Sequence, residues 1–493
     1  MGSQKMNGAD EVQRSRYAIV TDLDGTLLMG DTFIESMVNL ALMRPWTILP
    51  MVGRLMMGRS VLKTWVAANS PYRADRAAIC GQVVDILEKG RANQHTVVLA
   101  TAAHRSTADA VARELGIFDA VLATDERRNL KGRRKAECLR EWCTEANVSG
   151  FTYIGDSHAD LPIWADADTA VVVKPSRQLE KRVRALGKPT TVVGHRPSSL
   201  RLAMKALRPH QWAKNLLVFA PMVLAQKVDL NTFWKTSVAF VAFSACASGV
   251  YLLNDILDAT SDRKHPKKSR RPVASGDLSV PTALAIAGGL LAIGLGSAAT
   301  LSATAILLMI GYLGANYLYS TWLKSKPLID VIMLSGMYGV RLEMGAVSAG
   351  VPLSQWLLAF SLFLFTSLAF AKRYVELRGL AATGGAKAAG RGYQAEDADL
   401  IESLGPASGY VAVLVLALYA NSDQMKAIYG DGRLLWLLCP LLMYWITRVW
   451  LLAKRGALDD DPVVFALRDR VSVLVALLAA GIVAAATWAT RSD

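Results

Sequence analysis

The stretch Asn254–Pro272, NDILDATSDRKHPKKSRRP, decides how the chain is read. It follows an apolar run, Phe240–Leu253, suited to a membrane. Asp255, Asp258 and Asp262 then stand at i, i+3 and i+7. A helix places these positions within roughly 60° of one face. Six Lys and Arg follow at once. Crowded carboxylates repel one another unless a divalent cation sits among them. At the end of a membrane helix, this register points to a magnesium site for a phosphorylated substrate. A solvated cytoplasmic loop is the plainer reading, and Asn254 in front with the basic run behind weighs against it.

Composition fits a membrane setting. The chain has 493 residues, 52% of them hydrophobic, with mean hydropathy +0.27. The first 200 or so residues alternate charged and apolar segments, and long apolar stretches dominate after about residue 210. A soluble part followed by a membrane part is expected. The net charge of +14 suits cytoplasmic loops, anionic lipids or phosphate substrates. Nucleic acid is the weaker reading and is not expected as a partner, because no basic run is interleaved with exposed aromatics. The five cysteines form no CxxC and no metal pattern, which fits a reducing compartment. No apolar leader opens the chain, so the soluble part is expected in the cytoplasm.

Residues 1–14 read as a disordered leader and 15–190 as an α/β, Rossmann-like domain. Strand patterns Tyr17–Thr21, Thr96–Ala100, Phe151–Ile154 and Thr169–Val173 alternate with helical patterns. This rhythm predicts a parallel sheet with ligands at the carboxyl ends of its strands. The polar motifs stand there: Asp22-Leu-Asp24-Gly-Thr26, Thr101, and Gly155-Asp156-Ser-His-Ala-Asp160. Of Asp22 and Asp24, one can attack phosphorus while the other handles the leaving-group proton. Asp156 and Asp160 can complete a magnesium site with Asp22. Thr101 can hold a phosphoryl oxygen, and a nearby Lys can stabilise the transferring group. Acids serving only as caps and turns would not be expected in this order.

These motifs resemble the haloacid dehalogenase (HAD) phosphatase superfamily over about residues 17–175. The resemblance implies Asp22 as nucleophile and Asp24 as general acid/base. It implies magnesium on Asp22, the Asp24 carbonyl and Asp156, supported by Asp160. Lys135 is the better-spaced motif lysine and Lys131 the alternative. Residues 31–95 would form a helical cap. Its stretch Phe33–Met57 is apolar but broken by Arg44-Pro45 and Pro50, which makes it a poor span. It packs on its own core or lies on the bilayer or membrane domain.

Residues 191–207 read as a linker and 208–493 as an all-α polytopic bundle of about nine helices. The expected spans are 215–230, 233–253, 281–300, 302–322, 328–348, 354–373, 406–421, 434–452 and 471–489. The joints at 208–214, 254–280, 323–327, 372–404 and 453–470 hold nearly all the Lys and Arg. That alternation places these joints and the N-terminal domain inside, and the C-terminus outside. Arg341 and Glu343 lie about 16–20 Å along a helix from Asp330, near mid-membrane. Lys372, Arg373 and Glu376 stand at a cytoplasmic helix end, with Lys372 and Glu376 sharing a face. Tyr319 and Lys324 stand at another.

This pattern resembles the UbiA superfamily of intramembrane prenyltransferases over about residues 205–490. The opening Arg208-Pro-His-Gln-Trp-Ala-Lys214-Asn215 and the block NDILDATSDRKHPKKSRRPVASG resemble the decaprenyl-phosphate phosphoribosyltransferase branch. Quinone-type members carry a second DxxxD where this chain reads Lys372-Arg-Tyr-Val-Glu376. The resemblance implies magnesium in both domains, with phosphoribosyl diphosphate and a polyprenyl phosphate as substrates in a bacterial plasma membrane. Asp255, Asp258 and Asp262 are the expected metal ligands. Lys214, Asn254, Lys264, Lys268, Arg270, Arg271, Tyr319, Lys324, Arg341, Lys372, Arg373 and Glu376 are the candidate substrate contacts. The HAD domain would then remove the 5-phosphate from the phosphoribosyl lipid. The rivals are an aromatic prenyltransferase and a phosphatase domain of separate or regulatory role. A homo-oligomer is compatible with all of these.

Overall fold

The computed structural model describes residues 16–70, 78–125, 129–195, 199–263, 268–382, 391–423, 425, 429, 433–458 and 461–492. The expected leader and Lys264 lie outside them. The chain divides into two compact units. One is Met1–Ala206 with Leu252–Ala285, and the other is Leu207–Tyr251 with Ile286–Asp493.

The first unit holds a six-stranded parallel sheet: β1 (Arg16–Thr21), β2 (Thr96–His104), β3 (Ala120–Thr124), β4 (Val148–Gly155), β5 (Thr169–Val173) and β6 (Thr190–Val193). The order is β3-β2-β1-β4-β5-β6. Alternating side chains of β1 go to opposite faces. Ile19 packs with Leu99, Val83 and Leu87, whereas Ala18 and Val20 pack with Leu139 and Trp164. The centre of the sheet is therefore apolar on both sides, as a parallel sheet requires.

Two boundaries differ from expectation. The insert leaves the sheet domain and returns by residue 80, where Met29 N donates to Ala78 O (2.9 Å) and Cys80 N to Leu27 O (2.8 Å). It contains helices Thr32–Met43, Ile48–Met57 and Arg59–Asn69. Helix Gly81–Ala92 instead packs on the sheet, because Val83 and Leu87 share one apolar face. The sheet domain also runs past 190, into the stretch expected as linker. Helix Arg177–Arg184 leads to β6, whose β-branched TTVV pairs with β5.

In the second unit and at its boundary, seven described helices are long and apolar enough to cross a membrane: Leu230–Leu257, Val280–Leu301, Ala303–Thr321, Gln355–Ala381, Ala395–Ala420, Arg433–Lys454 and Arg470–Trp488. Helix Ile329–Ala349 has 21 residues and carries Asp330, Arg341 and Glu343. Eight of the expected spans thus coincide with long helices. The first, 215–230, is instead a 3-10 segment, Pro209–Phe219, and a short helix, Ala220–Leu224. Pro221, at the junction of the two, lacks the N–H that a continuous helix would need there.

Candidate active sites

In the first unit, Asp22 emerges from the end of β1 and Asp156 from the end of β4. Lys135, in helix Arg133–Glu145, is 3% exposed. Its Nζ lies 3.0 Å from Asp22 Oδ2 and 3.2 Å from Asp160 Oδ1. Lys131, the alternative, is exposed. Asp160 also accepts from Tyr153 OH (2.9 Å), Ser157 N (3.1 Å) and Ser157 Oγ (2.9 Å). Thr26 Oγ1 donates to Asp156 Oδ1 (3.3 Å), and Thr32 N donates to Asp24 Oδ1 (2.8 Å). Thr101 is fully buried and its Oγ1 accepts from Ala103 N (3.0 Å). Gly25 has φ +76°, and a Cβ there would fall 2.3 Å from Asp156 Oδ2. The turn between the two aspartates therefore requires glycine.

The electrostatics suit a cation. Oxygens of Asp22, Asp156 and Asp160 lie within 4.8 Å of one another. Burial, with the Asp160 charge adding to it, pushes Asp22 up to about 6 despite Lys135. Burial and the charges of Asp22 and Asp160 push Asp156 up to about 7. Burial also raises Asp24. Asp160 runs the other way: burial opposes ionisation, but Lys135, Tyr153 and Ser157 hold its carboxyl below the usual range. One lysine does not balance three acids. Asp22 and Asp156 remain crowded hard-oxygen donors, which fits magnesium, and Asp160 anchors Lys135.

The same unit contains the acidic segment. Helix Leu230–Leu257 ends just before Asp258, and a short helix, Ala259–Arg263, follows. Asp255 and Asp262 are buried and share one partner. Arg271 Nη1 lies 3.1 Å from Asp255 Oδ1 and 2.6 Å from Asp262 Oδ2. Arg271 had been expected to meet phosphate, and here a guanidinium stands between carboxylates expected to hold metal. With Arg271 between them, Asp255, Asp258 and Asp262 do not form a close three-ligand group as Asp22, Asp156 and Asp160 do, so a metal here would require Arg271 to move aside. Asn254 and Asp258 are half-buried, and Lys268 and Arg270 are exposed.

This segment is also tied to the insert. Arg263 grips Glu35 of helix Thr32–Met43 through two bonds, of 2.6 and 2.9 Å. Lys174 bonds Asp277 at 2.9 Å. Gly276, at φ +71°, lies so close to Met29 that a Cβ would fall 2.2 Å from its carbonyl oxygen.

The second unit holds two polar clusters. In one, Lys214 bonds Asp461, which caps helix Pro462–Arg468. Burial works against the Asp461 charge, yet Lys214 and Lys372 hold its carboxyl below the usual range. Sequence reasoning missed Asp461, although an Asp before Pro is a helix-start signal. Nearby in this unit, Arg341 donates to Asn215 Oδ1 (2.9 Å) and Met337 O (2.6 Å), with its guanidinium 5.3 Å from the Phe243 and Tyr312 rings. Its partner is thus Asn215 rather than Glu343, because residues two apart on a helix point away from each other.

In the other cluster, Arg373 is 1% exposed. It bonds Asp330 (2.6 Å), Glu376 (2.5 Å) and Tyr319 OH (3.1 Å). Tyr393 OH closes the set by donating to Asp330 (2.7 Å). Glu376 therefore pairs at i, i+3 with Arg373, not at i, i+4 with Lys372. Lys324 is half-buried in the turn Leu323–Ser325.

A model of the UbiA prenyltransferase family matches residues 216–472, more than half of the chain. The chain belongs to the UbiA prenyltransferase family. A haloacid dehalogenase-like hydrolase model matches residues 19–164, so the UbiA part is fused to a HAD domain. An uncharacterized protein, y4nM of Sinorhizobium fredii, is 33% identical over 468 residues, covering 94% of this chain and 90% of its own. The decaprenyl-phosphate phosphoribosyltransferase of Mycobacterium tuberculosis is 32% identical over 293 residues, covering 58% of this chain and 94% of its own. A solved UbiA homolog from Archaeoglobus fulgidus, bound to GPP and Mg2+, aligns with TM-score 0.45 and 17% identity over 57% of this chain and 99% of that one. With seven such apolar helices among the described residues, this UbiA family member is an integral membrane protein.

Proposed function

We propose that the chain makes a polyprenylphosphoryl ribose in two steps, with both active sites on the cytoplasmic side. In the first, an oxygen of a polyprenyl phosphate attacks ribose C1 of phosphoribosyl diphosphate. The C1–O bond breaks and diphosphate leaves. Asp255, Asp258 and Asp262 would hold magnesium against the departing diphosphate. Lys214, Lys372, Arg271 and neighbouring basic residues contact phosphate. Arg373, Glu376 and Tyr319 brace the helix ends.

In the second step, Asp22 attacks phosphorus of the 5-phosphate and Asp24 donates a proton to the departing ribose oxygen. Water, deprotonated by Asp24, then attacks the aspartyl-phosphate and releases inorganic phosphate. Lys135 and Thr101 hold the phosphoryl oxygens. Asp22 and Asp156 would hold magnesium, which offsets charge between nucleophile and phosphate. Covalent fusion keeps a lipid intermediate close to the second enzyme.

One observation carries the reading. A buried Asp–Lys–Asp phosphotransfer constellation is joined to a helical part similar to a protein named decaprenyl-phosphate phosphoribosyltransferase. The test is mass spectrometry of lipids formed by the purified chain with magnesium, phosphoribosyl diphosphate and decaprenyl phosphate. The wild type should form the ribosyl lipid, and Asp22→Asn should accumulate its 5-phosphate. No lipid product dependent on phosphoribosyl diphosphate would overturn the transferase assignment. Equal ribosyl lipid from Asp22→Asn would overturn the phosphatase step.

A further inference from the structure

The insert of the HAD domain carries an apolar face that its own core does not use. Helix Ile48–Met57 turns Met51 inward, where it packs with Leu40, Leu62 and Val66. Its other sides are apolar too. Leu49 is 80% exposed and Met56 86%, and Trp46, just before the helix, is 70% exposed. Val52, Leu55 and Met57 lie exposed between them. An apolar patch of this kind on a domain in water marks an interaction surface.

Charge identifies what it meets. Between Glu35 and Asp75 the sequence contains no acidic residue but has Arg44, Arg54, Arg59, Lys63 and Arg73. Arg44 is exposed at the end of the first insert helix. Arg54 lies over the Trp65 ring at 4.5 Å, so its charge stays at the margin of the apolar face. Exposed Leu, Met and Trp with marginal cations and no acids are the surface chemistry of a helix lying in a bilayer interface. The cations match anionic headgroups. The stretch is too short and too broken by Pro45 and Pro50 to span.

The geometry points to this face of the insert, Trp46–Met57, as a docking surface for an anionic lipid bilayer, at which the HAD domain takes a phosphate borne on a lipid. The lipid-borne substrate rests on the function proposed above, whereas the docking itself does not. Insert helix Thr32–Met43 starts at the residue whose backbone N–H binds Asp24, so one element links the apolar face to the phosphatase site.

Photo-crosslinking in nanodiscs of phosphatidylglycerol and phosphatidylcholine tests the surface in the full chain. A benzophenone amino acid is placed at Leu49 or Met56, with Glu88 on helix Gly81–Ala92 as the control. Lipid adducts at Leu49 and Met56 but not at Glu88 are expected, with fewer in pure phosphatidylcholine. Adducts to protein, from a second copy or elsewhere in the chain, would overturn the proposal, as would no lipid adduct above the Glu88 level. As a second readout, Leu49→Ser with Met56→Ser and Met57→Ser should lower kcat/KM for the phosphoribosyl lipid about tenfold, leaving p-nitrophenyl phosphate hydrolysis unchanged. An equal fall on both substrates would mean a damaged domain and would overturn the functional link. Because crosslinking needs no turnover, its failure is distinguishable from failure of the two-step function.

Discussion

The first unit contains two acidic clusters, each with a basic side chain bridging two of its carboxylates, and they are built differently. Around Asp22 and Asp160, the cation is Lys135, nearly sealed by the sheet and its helices. Around Asp255 and Asp262, it is Arg271, whose side chain is 28% exposed on a segment after a short 3-10 turn. The sealed cation is a fixed part of a preorganised site, and it offsets only part of the charge on the acids around it. The exposed one can move aside for a metal or pair with an arriving phosphate. Arg373 in the second unit is more enclosed than either, at 1% exposed, with Asp330, Glu376 and Tyr319 all engaged. Burial with saturated partners describes a brace, whereas burial beside crowded acids describes a catalytic site.

The largest effect should come from the sealed cluster. Asp22→Asn removes the nucleophile but keeps its size, and phosphate release should fall on the order of 10³-fold or more. Formation of the phosphoribosyl lipid should persist. A small fall in phosphate release would show that Asp22 is not the attacking group.

Arg373→Ala should act through stability. It removes the nearer guanidinium from Asp330 and leaves only Arg391, at 3.7 Å, so the loss should approach the cost of breaking a buried pair, about 3 kcal/mol. Thermal unfolding of the detergent-purified chain measures this. Arg373→Lys should recover only part of the loss, since one ammonium does not reproduce three directed bonds. If Arg373→Ala unfolds like the wild type but loses transferase activity, the brace assignment is wrong and Arg373 is a substrate contact.

The Glu35–Arg263 pair comes next. Both side chains are mostly buried, 8% and 6% exposed. A double-mutant cycle of Glu35→Gln and Arg263→Gln should give a coupling of about 0.5–3 kcal/mol. Because Glu35 lies in the helix that begins at Thr32, whose N–H holds Asp24, the single variants should also slow phosphate release. Additive effects on stability would show that the two bonds contribute nothing as a pair.

How much of this was legible depends on range in sequence. Asp22 and Asp156 could be placed because each directly follows a β-branched, apolar strand. The long helices announced themselves by composition. Strands β3 and β6 were not expected: AVLAT is short, and TTVV sits in a basic stretch broken by Gly and Pro. The pairings were least accessible. Lys214 meets Asp461 247 positions away, and Arg341 meets Asn215 126 positions away. No local period encodes such partners. Glu376 could reach Lys372 or Arg373 by helical geometry alone. Asp330, supplied by a neighbouring helix, holds Arg373 in place for it. Arg271 was the opposite case: its charge was conspicuous, but that it would bridge Asp255 and Asp262 depended on how the loop folds back.

That loop allows the finest test of the contrast between fixed and exchangeable cations. If Arg271 balances Asp255 and Asp262 only until magnesium arrives, Arg271→Gln removes a competitor of the metal. Half-saturating magnesium for the transferase step should then fall, while KM for phosphoribosyl diphosphate rises because a charged phosphate contact is lost. A charge-assisted hydrogen bond contributes about 1.5–3 kcal/mol, so KM should rise about tenfold or more. The magnesium shift should be smaller, since Arg271 is partly solvated and its ion pairs are screened. Lys135→Gln in the sealed site is the control. It should lower the rate of phosphate release without easing the magnesium requirement, because Lys135 is locked to Asp160 as well as Asp22. Should Arg271→Gln raise the magnesium requirement instead, Arg271 supports the metal site, and the two clusters work alike.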